Sequence, residues 1–117
     1  INLVDMKKEG NKLVSKDFSI DLSLLNKDRF KGELNEENYI VGIRPEYFEL
    51  SENPLFEVNV ESVELIGKDC IINFKVNDNN AKSITDISKK VSEGDKIGLG
   101  IDYNGIYLFQ ENGVRVY

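Results

Sequence analysis

The stretch NYIVGIRPEYFEL, residues 38–50, carries an apolar run into an arginine and a proline before a second apolar run begins. A residue that precedes proline is pushed to extended backbone geometry, so Arg44 should end a short strand. Pro45 lacks an N–H and suits the first position of a helical turn, where Glu46 would lie near the positive end of the dipole. The pattern predicts a strand, a one-turn reversal and a second strand, with Arg44 at the corner.

Alternation of apolar and polar residues continues on both sides of this corner, which is typical of half-buried strands. The alternating apolar sets are Phe18, Ile20 and Leu22; Cys70, Ile72, Phe74 and Val76; Ile97, Leu99 and Ile101; and Ile106, Leu108, Val114 and Val116. Turn-forming residues separate the runs at 9–12, 77–80, 92–95, 104–105 and 112–113. Because Asn-Gly pairs favour tight hairpins, we expect the last third of the chain to be a meander of short antiparallel strands.

The segment LFEVNVESVELIG, residues 55–67, changes the phase of its alternation at Glu61 and Ser62. The apolar positions that define the two phases are Phe56, Val58 and Val60 before the change and Val63 and Leu65 after it. Such a change indicates a bulge or a sharp bend, which small closed barrels use to turn corners.

Helical signals are weak. Residues 23–34 have room for a turn or two, and residues 81–91 fit either a helix or a strand through Ile84 followed by a turn. The sequence therefore predicts an all-β fold: a small OB-like Greek-key barrel with extra antiparallel strands and one or two short helices.

The chain has 117 residues and no linker or internal repeat, so residues 1–117 are expected to form a single domain. No apolar run approaches the roughly 20 residues of a membrane-spanning helix, and no signal peptide is visible. Because the first residue is Ile, we expect a processed chain or a fragment of a longer one. One cysteine excludes an internal disulfide and fits a reducing compartment.

The residue inventory argues against an enzyme. The chain has no histidine, which excludes histidine-based acid–base catalysis, Ser-His-Asp and Cys-His pairs, and histidine-containing zinc sites. It has no phosphate-loop motif, and a net charge of −6 without a basic run disfavours nucleic acid as a partner. We expect no catalytic, cofactor-binding or metal-binding residues; Glu61, Glu64 and Asp69 are interpreted as a solvated face.

The string VGIRPEYFEL, residues 41–50, resembles the hallmark of the C-terminal regulatory domain of ABC-importer ATPases of the maltose and multiple-sugar type. Three further segments resemble that family in the same order: VESVELIGKDCIINFKV (60–76), VSEGDKIGLGID (91–102) and IYLFQENGVRVY (106–117). The resemblance covers residues 2–117. It departs from the family pattern at Gln110 and Asn112, where Asp and Thr are usual.

The resemblance implies an OB-like domain of the kind called TOBE, appended to a nucleotide-binding domain that binds ATP and Mg. This fragment would hold no cofactor and hydrolyse no ATP. Its expected partners are its own nucleotide-binding domain, a second copy of the ATPase subunit, the membrane permease subunits and regulatory proteins. The parent transporter would import a carbohydrate, and the domain would lie in the cytoplasm at the inner face of the membrane.

Two roles compete for Arg44, Pro45 and Glu46. They form either a contact with another subunit or domain, or an internal corner in which the guanidinium bonds carbonyls or a carboxylate; the corner is favoured because Arg-Pro units usually serve geometry. Cys70 is expected in the core.

The candidate dimer contact consists of Tyr103, Tyr107 and Phe109. These aromatics alternate out of phase with Ile106 and Leu108, so they are predicted on the outer face of a barrel strand, where aromatic patches often mark interfaces.

Two alternatives to a sugar importer remain open. One is a small-ligand sensor of the kind found in oxyanion importers, for which only Arg29, Arg44 and Arg115 are available. The other is the corresponding domain of a polyamine importer, which resembles the chain around IRPE but usually lacks the terminal LF…NG hairpin.

Overall fold

The computed structural model describes all 117 residues and contains eleven strands and four short 3₁₀ turns. The strands are β1 (Asn2–Glu9), β2 (Lys12–Val14), β3 (Ser19–Asp21), β4 (Asn38–Ile43), β5 (Phe48–Leu50), β6 (Phe56–Asn59), β7 (Ser62–Ile66), β8 (Asp69–Val76), β9 (Asn79–Asp86), β10 (Lys96–Ile101) and β11 (Ile106–Gln110). The 3₁₀ turns are Leu22–Leu24, Lys27–Arg29, Pro45–Tyr47 and Tyr103–Gly105. None of these helical turns has the length or the apolar character needed to span a membrane.

The strands pair into three antiparallel sheets. One sheet has five strands in the order β11-β4-β1-β2-β3, and two have three strands, in the orders β5-β10-β6 and β7-β8-β9. The predicted all-β fold of the small OB-like type is therefore confirmed. The weak helical signal at 23–34 corresponds to the two 3₁₀ turns Leu22–Leu24 and Lys27–Arg29.

The alternating side chains meet in one core of 23 buried apolar residues. In β8 the side chains of Cys70, Ile72, Phe74 and Val76 are all buried, as their period-2 spacing predicts. The free thiol of Cys70 therefore serves as a small apolar group in the core.

Phe48, which opens β5, lies at the centre of an aromatic cluster. The ring centres of Phe18, Phe56 and Phe74 are 6.4, 5.9 and 5.7 Å from its own, and all three contacts are edge-to-face. Because these rings come from different parts of the chain, the cluster joins β5 to β6, to β8 and to the segment before β3.

The corner has the backbone that the sequence predicts. Arg44 is extended, with φ −66° and ψ 143°, and Pro45 occupies the first position of a 3₁₀ turn. The carbonyl of Arg44 accepts a hydrogen bond from the Tyr47 N–H at 2.9 Å, which closes the turn and delivers Phe48 to the core.

Two buried polar side chains hold separate sheets together. The Asn2 amide donates to the carbonyls of Ile43 and Lys82, at 3.0 and 2.9 Å, and its oxygen accepts from the Lys82 N–H at 2.8 Å. The Ser83 hydroxyl donates to the carbonyl of Phe48 at 2.6 Å. Every buried side-chain N or O atom has a hydrogen-bond partner, so the core contains no unpaired polar group.

The expected meander in the last third of the chain is wrong. β9 pairs with β8, β10 pairs with β5 and β6, and β11 pairs with β4. The Asn112-Gly113 turn does form a hairpin, with Gly113 at φ +90°, but Asn104-Gly105 belongs to a 3₁₀ turn that leads from one sheet to another. Glycine is required there for space rather than for positive φ, because the Tyr47 side chain lies directly against it.

The phase change at Glu61 and Ser62 is a sharp bend between two sheets, as one of its two interpretations predicts. The Val60 N–H still bonds the Asp95 carbonyl beside β10, whereas the Glu61 N–H already bonds the Asn73 carbonyl in β8. Leu65, which the alternation assigned to an apolar face, is 64% exposed.

The ambiguous segment 81–91 begins as strand. Its first residues belong to β9, which ends at Asp86, so the strand alternative is correct and the helix alternative is wrong.

Candidate functional site

All three arginines of the chain converge on the ring of Tyr107. The guanidinium carbons of Arg29, Arg44 and Arg115 lie 5.4, 5.3 and 4.9 Å from its ring centre, within the range of cation–π contacts. These four residues are called the arginine–tyrosine cluster below. They come from a 3₁₀ turn, the corner, the C-terminal segment and β11, so only the folded chain brings them together.

Arg29 is the structural member of the cluster. Its terminal nitrogens donate to the carbonyls of Ile106 at 2.9 Å and Asn104 at 3.5 Å, and its guanidinium carbon lies 4.1 Å from the ring centre of Tyr117. Arg29 thus fills the carbonyl-bonding role that the sequence suggested for Arg44.

Arg44 is exposed and points to the outer surface of the corner. Its Nε donates to the Tyr107 hydroxyl at 3.3 Å, and it has no hydrogen bond to a carbonyl and no carboxylate within 4 Å. Glu46 is also exposed and acts on Arg44 only as a nearby charge. The expected bonding of the guanidinium is therefore wrong, although the expected backbone of the corner is right.

Arg115 reaches the cluster from the strand-like segment beside β11. It pairs with Phe109 through an isolated antiparallel bridge, and its Nε donates to the main-chain oxygen of Tyr117 at 3.1 Å. The side chain is exposed. The two exposed arginines are thus each held by Nε while their terminal nitrogens stay free of partners within the chain.

No Asp or Glu carboxylate neutralises the cluster. The three ion pairs of the structure all use lysines: Lys7 with Glu37, Lys16 with Asp78, and Lys96 with Glu57. In a chain of net charge −6, three arginines without an Asp or Glu carboxylate within 4 Å form a basic patch. Guanidinium groups bind carboxylates and phosphates, so the chemistry that this arrangement supports is the binding of anions.

Two of the three predicted dimer-contact residues lie on β11. Tyr107 and Phe109 are half-buried on β11 while Ile106 and Leu108 are buried, so their outward alternation is confirmed. Tyr103 precedes the strand, packs against the core, and accepts a hydrogen bond from the Asp21 N–H at 3.1 Å. Tyr103 thus lies outside the strand that holds the other two and bonds a different strand, β3, and the contact itself stays a prediction.

An apolar patch continues from Phe109 across the outer face of the five-stranded sheet. Phe109 pairs with Ile40, and Ile1 and Leu3 are 63% and 56% exposed. Gly42 lies beneath this patch: a methyl group there would come within 2.8 Å of Ile1 and 3.1 Å of Phe109. The outer face of β11 is therefore apolar around Phe109 and basic around Tyr107.

Tyr107 should titrate earlier than an ordinary tyrosine. The hydrogen bond from Arg44, with the positive charges of Arg44, Arg29 and Arg115, lowers the pKa of the Tyr107 hydroxyl below its usual 10.0. Because the folded state favours the phenolate, the linked stabilisation is absent at neutral pH and grows as the pH rises through the folded-state pKa towards 10.0. We expect an ultraviolet titration to show a phenolate step below 10.0 that moves to higher pH in Arg44→Gln.

The same titration provides its own controls. Tyr107→Phe should abolish the early step, and Lys68→Gln, which removes a positive charge from the turn between β7 and β8, should leave it in place. An early step that is identical in Arg44→Gln and in the native chain would show that Arg44 does not act on Tyr107.

Sequence reasoning named the three arginines only as separate anion-binding candidates. It missed their convergence because residues 29, 44 and 115 lie far apart in the chain and share no motif. The sequence contained one usable signal, the choice of arginine at only three positions while the other basic residues are all lysines. Arginine differs from lysine in having a planar group that stacks on aromatic rings, which could have grouped these three residues.

No family model matches the chain. A stretch of 78 residues is 35% identical to the sn-glycerol-3-phosphate import ATP-binding protein UgpC of Psychromonas ingrahamii. The match covers 59% of this chain and 21% of that protein, so the chain spans about a fifth of the length of this relative. The chain is therefore similar to one part of an import ATP-binding protein.

Proposed function

We propose that the chain is a non-catalytic regulatory and dimerisation domain, of the TOBE kind, in the ATP-binding subunit of an ABC transporter that imports a carbohydrate. The observation that carries the proposal is the 35% identity to UgpC over 78 residues. The all-β, OB-like fold and the corner at Arg44-Pro45 support it, because both agree with the regulatory domain that the sequence resembles.

ATP and Mg would be bound outside this chain, which has no phosphate-loop motif. The proposed partners are the chain's own nucleotide-binding domain, a second copy of the ATPase subunit and the permease subunits. In this role the domain would lie in the cytoplasm at the inner face of the membrane. It would act by contact, holding subunits together or receiving regulatory proteins.

The proposed contact with a second copy uses the apolar patch around Phe109. A symmetric dimer places the same surface of each copy against the other, so the half-buried Phe109 of each copy, with the exposed Ile1 and Leu3 beside it, would be covered by the other copy. It also brings the two arginine–tyrosine clusters near each other. We therefore expect weak self-association, roughly micromolar or weaker, that strengthens with added salt as the like charges are screened.

Sedimentation over a concentration and salt series tests this contact. Phe109→Ser should weaken self-association by about tenfold or more, whereas Leu65→Ser, an equally polar change at an exposed position of the β7-β8-β9 sheet, should not. A chain that stays monomeric at high concentration at every salt concentration would remove self-association from the proposal.

A further inference from the structure

We infer that the arginine–tyrosine cluster is a docking surface for an acidic segment of another protein, whose carboxylates are bound by Arg44 and Arg115. This inference rests on the cluster itself and does not depend on the transporter assignment.

The two exposed arginines are held in an orientation suited to binding carboxylates. The Nε of Arg44 is held by the Tyr107 hydroxyl and the Nε of Arg115 by the main-chain oxygen of Tyr117. Both guanidiniums also lie about 5 Å from the Tyr107 ring centre, at 5.3 and 4.9 Å. Their terminal nitrogens have no partner in the chain, so each offers the planar pair of donors that a carboxylate accepts in bidentate fashion.

Arg29 supports the surface from below rather than binding the partner. It is half-buried, and its donors are directed to the Ile106 and Asn104 carbonyls. Its charge still adds to the potential that the partner meets. Because Arg44 and Arg115 both have free terminal nitrogens beside the same tyrosine ring, we expect the ligand to have at least two acidic groups.

The charges of the chain select an acidic partner. The net charge is −6, yet no Asp or Glu carboxylate lies within 4 Å of the arginines of the cluster. An acidic segment would be repelled by most of the surface and attracted here, which gives orientation as well as affinity. A second copy of the chain docked symmetrically at Tyr107 would oppose arginine to arginine, so it does not fit this part of the face.

The form of the surface favours a protein segment over a small anion. Arg44 and Arg115 are exposed and Tyr107 is half-buried, so a small ion bound here would remain open to water and salt. The neighbouring patch of Phe109, Ile40 and Leu3 can contact an apolar side chain of a longer ligand, which would then compete with self-association through the same patch. Tyrosine and arginine are enriched among the residues that contribute most of the binding energy in protein interfaces, and here they lie beside an apolar patch.

A binding titration with the 117-residue chain tests the inference. The probe is a short peptide of glutamates around one leucine; the same peptide with glutamines and inorganic phosphate are the comparison ligands. We expect the glutamate peptide to bind, to bind more weakly as salt is added, and to lose about tenfold or more in affinity in Arg44→Gln/Arg115→Gln. Lys68→Gln/Lys90→Gln, which removes the same charge elsewhere, should retain the native affinity.

A conservative variant separates the guanidinium from its charge. Arg44→Lys keeps the positive charge but loses the planar pair of donors, so it should bind the glutamate peptide several-fold more weakly than the native chain. It also keeps the experiment decisive if the double variant does not fold, as judged from its circular dichroism melt. Three results would overturn the inference: no binding of the glutamate peptide, equal losses in the two double variants, or inorganic phosphate displacing the peptide at a similar concentration.

Discussion

Replacing Phe48 with alanine is expected to lower the free energy of unfolding by about 3–5 kcal/mol. The side chain is 1% exposed and contacts the rings of Phe18, Phe56 and Phe74. Removing it opens a cavity where several strands meet, and the surrounding backbone is tied by hydrogen bonds that prevent collapse. A domain of this size is stable by only about 5–15 kcal/mol, so the variant should lie close to unfolding.

Urea denaturation followed by circular dichroism measures this loss. Leu65→Ala provides the control, since Leu65 is 64% exposed and its truncation should change stability by no more than about 0.5 kcal/mol. If Phe48→Ala and Leu65→Ala had similar unfolding midpoints, the corner would not deliver Phe48 to the centre of the core.

The second large effect is expected from Gly105→Ala, which should cost about 3 kcal/mol or more through overpacking. A methyl group at Gly105 would overlap Cγ of Tyr47 and lie 2.5 Å from its Cβ. The Cβ atom is fixed to the backbone of the Pro45–Tyr47 turn and cannot swing away. The two 3₁₀ turns would have to separate, breaking the hydrogen bond from the Asp102 N–H to the Tyr47 carbonyl at 3.0 Å.

Gly100→Ala is a matched control for this prediction. Gly100 also has negative φ, but a methyl group there would be 3.7 Å from its nearest neighbour, Ser51, at ordinary contact distance. It should therefore unfold within about 1 kcal/mol of the native chain. Melting temperatures that fall equally in both variants would mean that the contact between Tyr47 and Gly105 does not hold the two turns together.

The parts of the fold that local patterns govern could be predicted. The alternation at Cys70, Ile72, Phe74 and Val76 identified a strand and its buried face, and Arg44-Pro45 identified the corner. Partner choice among strands could not be predicted, because β10 alternates in the same way whether it pairs with β11 or with β5 and β6. The Asn104-Gly105 pair was misleading for a related reason. Its glycine is required because the side chain of Tyr47, a residue distant in sequence, packs against it, and not because of the local turn.

The same division applies to the candidate site. The outward direction of Tyr107 and Phe109 follows from period 2 and was predicted. The arrangement of arginines around Tyr107 depends on how three remote segments pack beside β11, which no local pattern encodes. The exchange of roles between Arg44 and Arg29 has the same origin, since only Arg29 lies within reach of the Ile106 carbonyl.

Uptake of sn-glycerol-3-phosphate by cells that depend on a chimeric UgpC tests the central claim most directly. In the chimera this chain replaces the region of UgpC that it matches; native UgpC and a truncated UgpC that lacks only that region are the references. If the chain is a regulatory and dimerisation domain of an import ATPase, the chimera should restore uptake clearly above the truncated protein, and Phe48→Ala within it should abolish the gain. A chimera that is produced at the native level yet supports no more uptake than the truncated protein would contradict the claim.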